Sequence, residues 1–438
     1  MKLTHIYRVC VVFIGLLVVT SAAAGQEQPL TFRKAVELAL GHSSEMALSR
    51  ADEARAYQTY LEAHDSYVPK VAIGSDIGYA YGFPLSLEGS APTLFNVTTQ
   101  SSVWNLAERE FIKAAKAEWQ ASKSQGRNQR AHVIMDTALT YIELNRWESR
   151  VPILHSELSV AENIEYAAAE RVKEGIDKAI EQTKADLVDA QVRVHIAEAE
   201  GAVDILRTRL SQLTGVPAES IRTVRDSIPV LREDRPANDV VPHALQSSPA
   251  IQSAEQSALA KERRAKGEHR ALYPTADFAA QYGLINTSLT NFEQFFVPRS
   301  FQPHNVTFGL VLRFPFLDRS QQARAAAADA EAIRSRKEVE QTKNKAALDA
   351  LKLQSSVEQL FAARHVAELR YKLAENELDA AHARMEAEAG TQREVQNAAI
   401  DAGERTLERI NADFELQRVE LELLRARGEL ESWAIPSE

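Results

Sequence analysis

One cysteine, Cys10, stands in a chain of 438 residues. That scarcity excludes a disulfide framework and any site built from several thiolates. Proline is absent from all 120 positions between Pro315 and Pro436, and that stretch is rich in Ala, Glu, Leu and Arg. Such a composition favours long helices over a compact α/β enzyme. Positive charge is in short supply: the net charge of −10 argues against an extended nucleic-acid surface. Beyond residue 25 no run approaches 18 consecutive apolar residues, so no helix is expected to cross a bilayer. Catalytic signatures are missing as well. The eleven histidines are scattered, no two closer than 17 residues, and none forms a His-Glu-x-x-His pair. No G-x-S-x-G, P-loop or dinucleotide fingerprint is present. No enzymatic reaction, cofactor or metal site is expected.

What is there begins with an address. Residues 1–25 read as a cleaved secretory signal: Lys2 and Arg8 at the positive end, an apolar run over residues 9–19, and Ala22-Ala23-Ala24 as a small-residue cleavage site. The run of eleven is too short for an anchor, which needs about 20 apolar residues. Cys10 is expected to leave with the signal. Losing Lys2 and Arg8 takes the charge to −12 (−10 less two positives).

The rest of the chain repeats itself. Val36-Glu37-Leu38-Ala39-Leu40 through Pro69 recurs as Val241-Pro242-His243-Ala244-Leu245 through Pro274, with Ala39, Leu40 and Pro69 each 205 residues before their counterparts. Ala114-Ala115-Lys116-Ala117-Glu118 matches Ala327-Ala328-Asp329-Ala330-Glu331. A repeat at this scale is read before anything else, because it sets the architecture. The chain divides into the signal (1–25), a first repeat (26–216), a linker holding Pro217, Pro229 and Pro236 (217–241), a second repeat (242–434) and a tail (435–438).

Each repeat places two strands between helices. Val71, Ile73, Ile77, Tyr79, Tyr81 and Phe83 alternate with Ala72, Gly74, Asp76, Gly78, Ala80 and Gly82. In the second copy Phe278, Ala280, Tyr282 and Leu284 alternate with Asp277, Ala279, Gln281 and Gly283. The last strand sets Val306, Phe308, Leu310 and Leu312 against Asn305, Thr307, Gly309 and Arg313. Residues 93–103 give only a weak strand signal. Alternation over about ten residues suits a transmembrane barrel strand, although a half-buried soluble sheet alternates too. The export signal and the aromatic weight favour the barrel. Ile77, Tyr79, Phe278, Tyr282, Phe308 and Leu310 are then lipid-facing, and Asp76, Asp277, Thr307 and Arg313 line the lumen.

Four strands cannot close a barrel, since about eight is the smallest number. An open edge in lipid leaves backbone groups unpaired at several kcal/mol each. The chain is therefore expected to oligomerise. Long helices are expected over residues 105–174 and 317–389, with Pro152 kinking the first. Shorter helices over 31–66 and 176–213, and over 243–272 and 391–433, match those lengths in two pieces. The fold class is mainly α with a small β part: coiled-coil hairpins, four strands and a tandem repeat. An exported coiled-coil scaffold without a pore is the alternative.

From residue 30 to residue 433 the sequence resembles the outer membrane efflux protein family, the TolC family. Phe314-Pro315-Phe316-Leu317-Asp318-Arg319 is similar to that family's strand-to-helix junction, with Arg319 where Gly is common. Val103-Trp104-Asn105-Leu106 is its degenerate first copy, with Asn105 matching Asp318. Leu30-Thr31-Phe32 and Leu213-Thr214-Gly215 fit the start and end of the family's first repeat. The resemblance implies a homotrimer in the bacterial outer membrane, with a 12-stranded barrel continued by a helical tunnel into the periplasm. It implies an exit duct for a tripartite efflux pump or type I secretion. Its partners would be a periplasmic adaptor (membrane fusion) protein and an inner-membrane transporter.

The family's adaptor-docking tip matches Lys173, Glu174, Gly175 and Ile176 in the first copy and Ala389, Gly390 and Thr391 in the second. Gly175 and Gly390 are both expected as left-handed helix C-caps. Some relatives carry acidic residues six and nine positions after the second glycine, where this chain has Gln396 and Ala399. Glu181 lies six positions after Gly175. Glu181 and Gln396 are the candidate periplasmic gate.

Overall fold

The computed structural model describes residues 29–76, 78–79, 81, 92–231, 240–295, 302–387 and 389–436. The signal segment and Ile77 lie outside these residues. In the first repeat helices α1 (Phe32–His42) and α2 (Ser44–His64) lead into strands β1 (Lys70–Gly74) and β2 (Thr93–Trp104). Helices α3 (Leu106–Lys173) and α4 (Ala179–Thr214) follow. In the second, α5 (Val240–Ser247) and α6 (Pro249–Arg270) lead into β3 (Thr275–Ile285) and β4 (His304–Arg313). Helices α7 (Arg319–Glu386), α8 (Gln392–Arg427) and α9 (Leu430–Ala434) complete the chain. The duplication read from the sequence is a duplication of elements.

Helices α3 and α7 are each 68 residues long, about 100 Å at 1.5 Å per residue. Their starts are fixed by equivalent residues. Asn105 Oδ1 accepts from the backbone N–H of Ala107 at 3.0 Å and of Glu108 at 3.2 Å. Asp318 Oδ1 accepts from Gln321 N–H at 2.8 Å. Both satisfy amide groups that a helix start leaves free. Helix α3 runs unbroken through Pro152.

The shorter helices break where the sequence places caps. Residues 31–66 form two helices because Ser43 ends α1 and caps α2, accepting from Met46 N–H at 3.3 Å. Residues 243–272 split at Ser248, which caps α6 ahead of Pro249 in its first turn. The first strand was expected to run to residue 83, but β1 ends at Gly74. The weakly signalled second strand is the longest, at 12 residues. It lies between β1 and β3, so hydrogen-bond ladders on both sides hold it without strong alternation.

Packing sets the helices side by side as a wall. Next to the sheet the order is α2, α3, α6, α7; farther away it is α4, α3, α8, α7. Each long helix is thus flanked by shorter ones laid end to end. Where the shorter helices meet, a core gathers Phe32 and Val36 of α1, Val133, Tyr141 and Leu144 of α3, Leu210 of α4 and Leu430 of α9. Tyr141 ties this region together: its hydroxyl donates to Leu30 O at 2.6 Å and accepts from Val224 N–H at 2.8 Å. Part of the segment between the repeats is therefore docked, with Ile221 fully buried and Thr223 bridged to Leu30.

Candidate functional site: the sheet and the helical tip

Antiparallel pairing runs in the order β1-β2-β3-β4. Directly opposed residues share a face of a sheet, so the register sorts the predicted residues. Phe278 is opposite Leu310, Ala280 opposite Phe308, and Tyr282 opposite both Val306 and Val97. Ile73 faces Val97, and Val71 faces Thr99. One face is thus mainly apolar, interrupted on β2 by Thr99 and Ser101, and it is uncovered: Phe308 is 75% exposed and Leu310 65%. Tyr79, just beyond β1, is exposed as well.

The other face is polar. Thr98, Gln281 and Thr307 form one row. Arg313 and Asp277, both predicted for this face, pair at 2.9 Å. Asp76 accepts from Thr93 Oγ1 at 3.0 Å and from Asn96 Nδ2 at 2.6 Å. A hollow of about 640 Å³ opens on this side, lined by Lys70, Thr98, Gln100, Asp277 and Thr307 among others. Aromatic side chains crowd the helix end of the sheet: Trp104, Tyr273, Phe314 and Phe316 are all exposed. Among the described residues, β1 and β4 each have a neighbour on one side only.

Below this end Glu110 of α3 is 2% exposed and is held by Lys113 at 2.8 Å, Arg270 at 2.9 Å and Arg263 at 3.2 Å. Burial pushes its carboxyl up, but the hydrogen bonds from Lys113 and Arg263 prevail and hold it below the usual range. The cluster joins α3 to α6. Sequence reading missed it, although Arg263 and Arg270 stand two helical turns apart on one face.

At the far end the two hairpin turns differ. Gly175 has φ +74°. Ile176 N–H donates to Arg171 O at 2.9 Å and Gly175 N–H to Val172 O at 3.0 Å, the two bonds of a Schellman cap. Gly390 is not left-handed, contrary to expectation. It is needed for space: a Cβ there would lie 3.0–3.1 Å from Arg384 and Met385 atoms. Ala389 N–H donates to Arg384 O at 2.9 Å, and Thr391 caps α8 through Glu394 N–H at 3.3 Å.

Ion pairs cover the tip. Lys173 pairs with Glu170 at 3.2 Å and Arg171 with Asp177 at 2.7 Å. Glu181 pairs with Lys184 at 3.0 Å and with Arg393 of the other hairpin. Hydrogen bonds from Lys184 and Arg393 hold the Glu181 carboxyl below its usual range, and Arg171 does the same for Asp177. Glu181 is therefore a neutralised acid that joins the hairpins. Gln396 sits half-buried on α8, three residues past Arg393. Arg393 was not singled out from the sequence, since its partner is 212 residues away.

Among the described residues no three His, Cys, Asp or Glu side chains are arranged to hold a metal, and no helix is long and apolar enough to cross a membrane. No family model matches the sequence, and no curated protein does. Solved structures do match. The outer membrane protein VceC from Vibrio cholerae superposes with a TM-score of 0.72 at 17% identity, over 91% of this chain and 96% of that one. The outer membrane channel MtrE of Neisseria gonorrhoeae, in its open state, gives 0.73 at 15% identity over 92% and 90%. The Campylobacter jejuni CmeC outer membrane channel gives 0.73 at 14% over 91% and 86%. The chain has the fold of the outer-membrane channels of the TolC family.

Proposed function

We propose that this chain is one third of a trimeric outer-membrane channel, the passive exit duct of a tripartite efflux pump or type I secretion system. The observation that carries this reading is the four-stranded sheet with one bare apolar face, one polar face and two open edges. In lipid such edges cost several kcal/mol for each unpaired group. Three copies make a closed barrel of twelve strands, within the range bacterial barrels use. Phe278, Tyr282, Phe308 and Leu310 then meet lipid, and Asp277, Thr307 and Arg313 line the water path. The exposed Trp104, Tyr273, Phe314 and Phe316 supply the aromatic girdle expected at a membrane interface.

The helical wall supports closure by copies of itself. On α4 the exposed apolar residues Ile180, Leu187, Val194 and Ile205 fall within about 40° of helix circumference. On α7 Ile333, Leu348, Leu351, Val366, Leu369 and Leu373 fall within about 60°. Those helices stand at opposite edges of the wall, so α7 of one copy meets α4 of the next, with α2 above it. The turns at Lys173–Ile176 and Ala389–Thr391 lie at the end remote from the barrel, where a periplasmic adaptor protein docks and an inner-membrane transporter supplies cargo. Glu181 and Gln396 belong to the same tip. Opening there requires the hairpins to part, at the expense of the Glu181–Arg393 pair.

The test is assembly and conduction. Outer-membrane extracts should contain a heat-modifiable trimer that conducts in planar bilayers. Soluble chains, or trimers that never conduct, would make this protein an exported coiled-coil scaffold without a pore.

A further inference from the structure

Where the two hairpins meet, α3 packs on α8, and along the seam lies a half-open hollow of about 410 Å³. Pro152, Ile153 and Val160 line one side, Ala399, Ile400 and Gly403 the other. Into this apolar contact α3 sends a carboxyl group. Glu157 Oε1 is buried, and among the described residues no donor reaches it. It lies so close to α8 that a Cβ on Gly403 would be 2.1 Å away. Only a glycine leaves that room.

The chemistry of this contact depends on the proton. In mid-helix every backbone N–H is already donated to a carbonyl four residues earlier, so α8 offers an ionised oxygen no donor. Its carbonyls keep a second lone pair and accept from a neutral carboxylic acid. A buried anion without a donor is costly, whereas a buried acid that donates is not. Two charged groups weigh on Glu157 directly. Burial is the largest influence and raises its pKa; Arg150, on the same helix, opposes this, and Glu404 on α8 adds to it. Asp401 and Arg405, also on α8, pair with each other at 3.3 Å.

We propose that Glu157 is a proton-operated latch: neutral, it holds α3 against α8, and ionised, it loosens the seam between the hairpins. The closed seam raises the affinity of Glu157 for its proton, so protonation stabilises that seam in return. The stabilisation is fully present below the ordinary carboxylate pKa and is lost as pH rises through the raised one. Acid thus favours the closed wall and neutral or alkaline conditions favour parting. Its link to conduction rests on the channel reading; its link to the seam does not.

Nitroxide labels on Ser159→Cys and Asn397→Cys, both on exposed positions, read the seam in the purified full-length oligomer by pulsed EPR. The distance should lengthen between pH 5 and pH 8. Glu157→Gln, neutral and still able to donate, should keep the short distance at both. Gly403→Ala, which forces the carboxyl off the backbone, should give the long distance at both. A pH response that is unchanged in Glu157→Gln, or absent from the parent protein, overturns the latch. Conductance in planar bilayers should rise several-fold over the same range. If distances follow pH as stated and no current is seen at any pH, the latch stands and the channel reading fails.

Discussion

Helices α3 and α7 are equivalents in the two repeats, each 68 residues long, yet they bury different things. Helix α3 buries Val133, Ile134, Tyr141, Ile142, Leu144 and Leu154. Helix α7 buries mainly alanines: Ala325, Ala332, Ala350, Ala367, Ala374 and Ala381, largely at seven-residue steps. Val357 is buried as well, but Ile333, Leu348, Leu351, Val366, Leu369 and Leu373 are exposed. The cause is position. Helix α3 has neighbours on both flanks, α2 and α4 on one and α6 and α8 on the other, whereas among the described residues α7 packs against α5, α6 and α8 on one flank. Equal helices from a duplicated gene became the middle of a wall and its edge. In the proposed trimer this edge is completed by another copy of the chain.

The largest effect should come from breaking that edge. Changing Leu369 and Leu373 to Glu should abolish the trimer on native gels while leaving far-UV helicity in place. Making the same change at Lys116 and Gln120, exposed positions of α3, should leave assembly intact. Loss of helicity in the α7 variant would mean that its stripe serves the fold of the single chain. Next comes the middle helix. Leu144 is fully buried, and Leu144→Ala should cost about 2–5 kcal/mol, read as a lower denaturation midpoint.

On the sheet, Phe308→Arg or Leu310→Arg should impair insertion, because a lipid-facing Arg near the midplane costs about 2–4 kcal/mol. Thr307→Arg should insert and change conductance instead. Equal insertion of all three would invert the assignment of faces. At the tip the effects are smaller. Gly175→Ala places a non-glycine residue at φ +74°, at roughly 1–2 kcal/mol. Gly390→Ala carries no such penalty and tests only whether the contact with Arg384 can relax. Both should leave the trimer and barrel whole; crosslinkers at Lys173 should capture an adaptor in the parent, and less in Gly175→Ala. The smallest effect concerns acid. Asp177 and Glu181 have depressed pKa values, so their pairs persist below the ordinary carboxylate range and fail only as pH falls through the lowered values. In Arg393→Gln, Glu181 should titrate closer to its ordinary range by NMR.

What the sequence disclosed followed local rules. Alternation of Phe308 and Leu310 with Thr307 and Gly309 needs only the two-residue period of a strand, and Asn105 and Asp318 were legible as matching positions of a strand-to-helix junction, though their capping of α3 and α7 was not read. The splits at Ser43 and Ser248 were also local, since Ser248-Pro249 is a helix start, but continuous helical composition masked them. Gly390 failed for another reason: glycine marks both left-handed backbone and tight space, and the residue type does not distinguish them. Long-range partners were invisible. Glu157 is one of many glutamates on a long helix until Gly403 is brought against it, and Tyr141 gives no sign of the carbonyl of Leu30. Helix α7's stripe was present in the sequence, but which helices would leave it bare depends on the order of the wall.

A sheet with two open edges has a genetic consequence. In the proposed trimer each channel draws one share from each of three chains, so a variant that folds and joins but cannot conduct spoils channels it enters. With equal expression of normal and defective chains, random mixing leaves about one trimer in eight wholly normal. Such alleles at the tip should be dominant. Alleles that destroy the α7 edge should be recessive, because their products never enter the assembly.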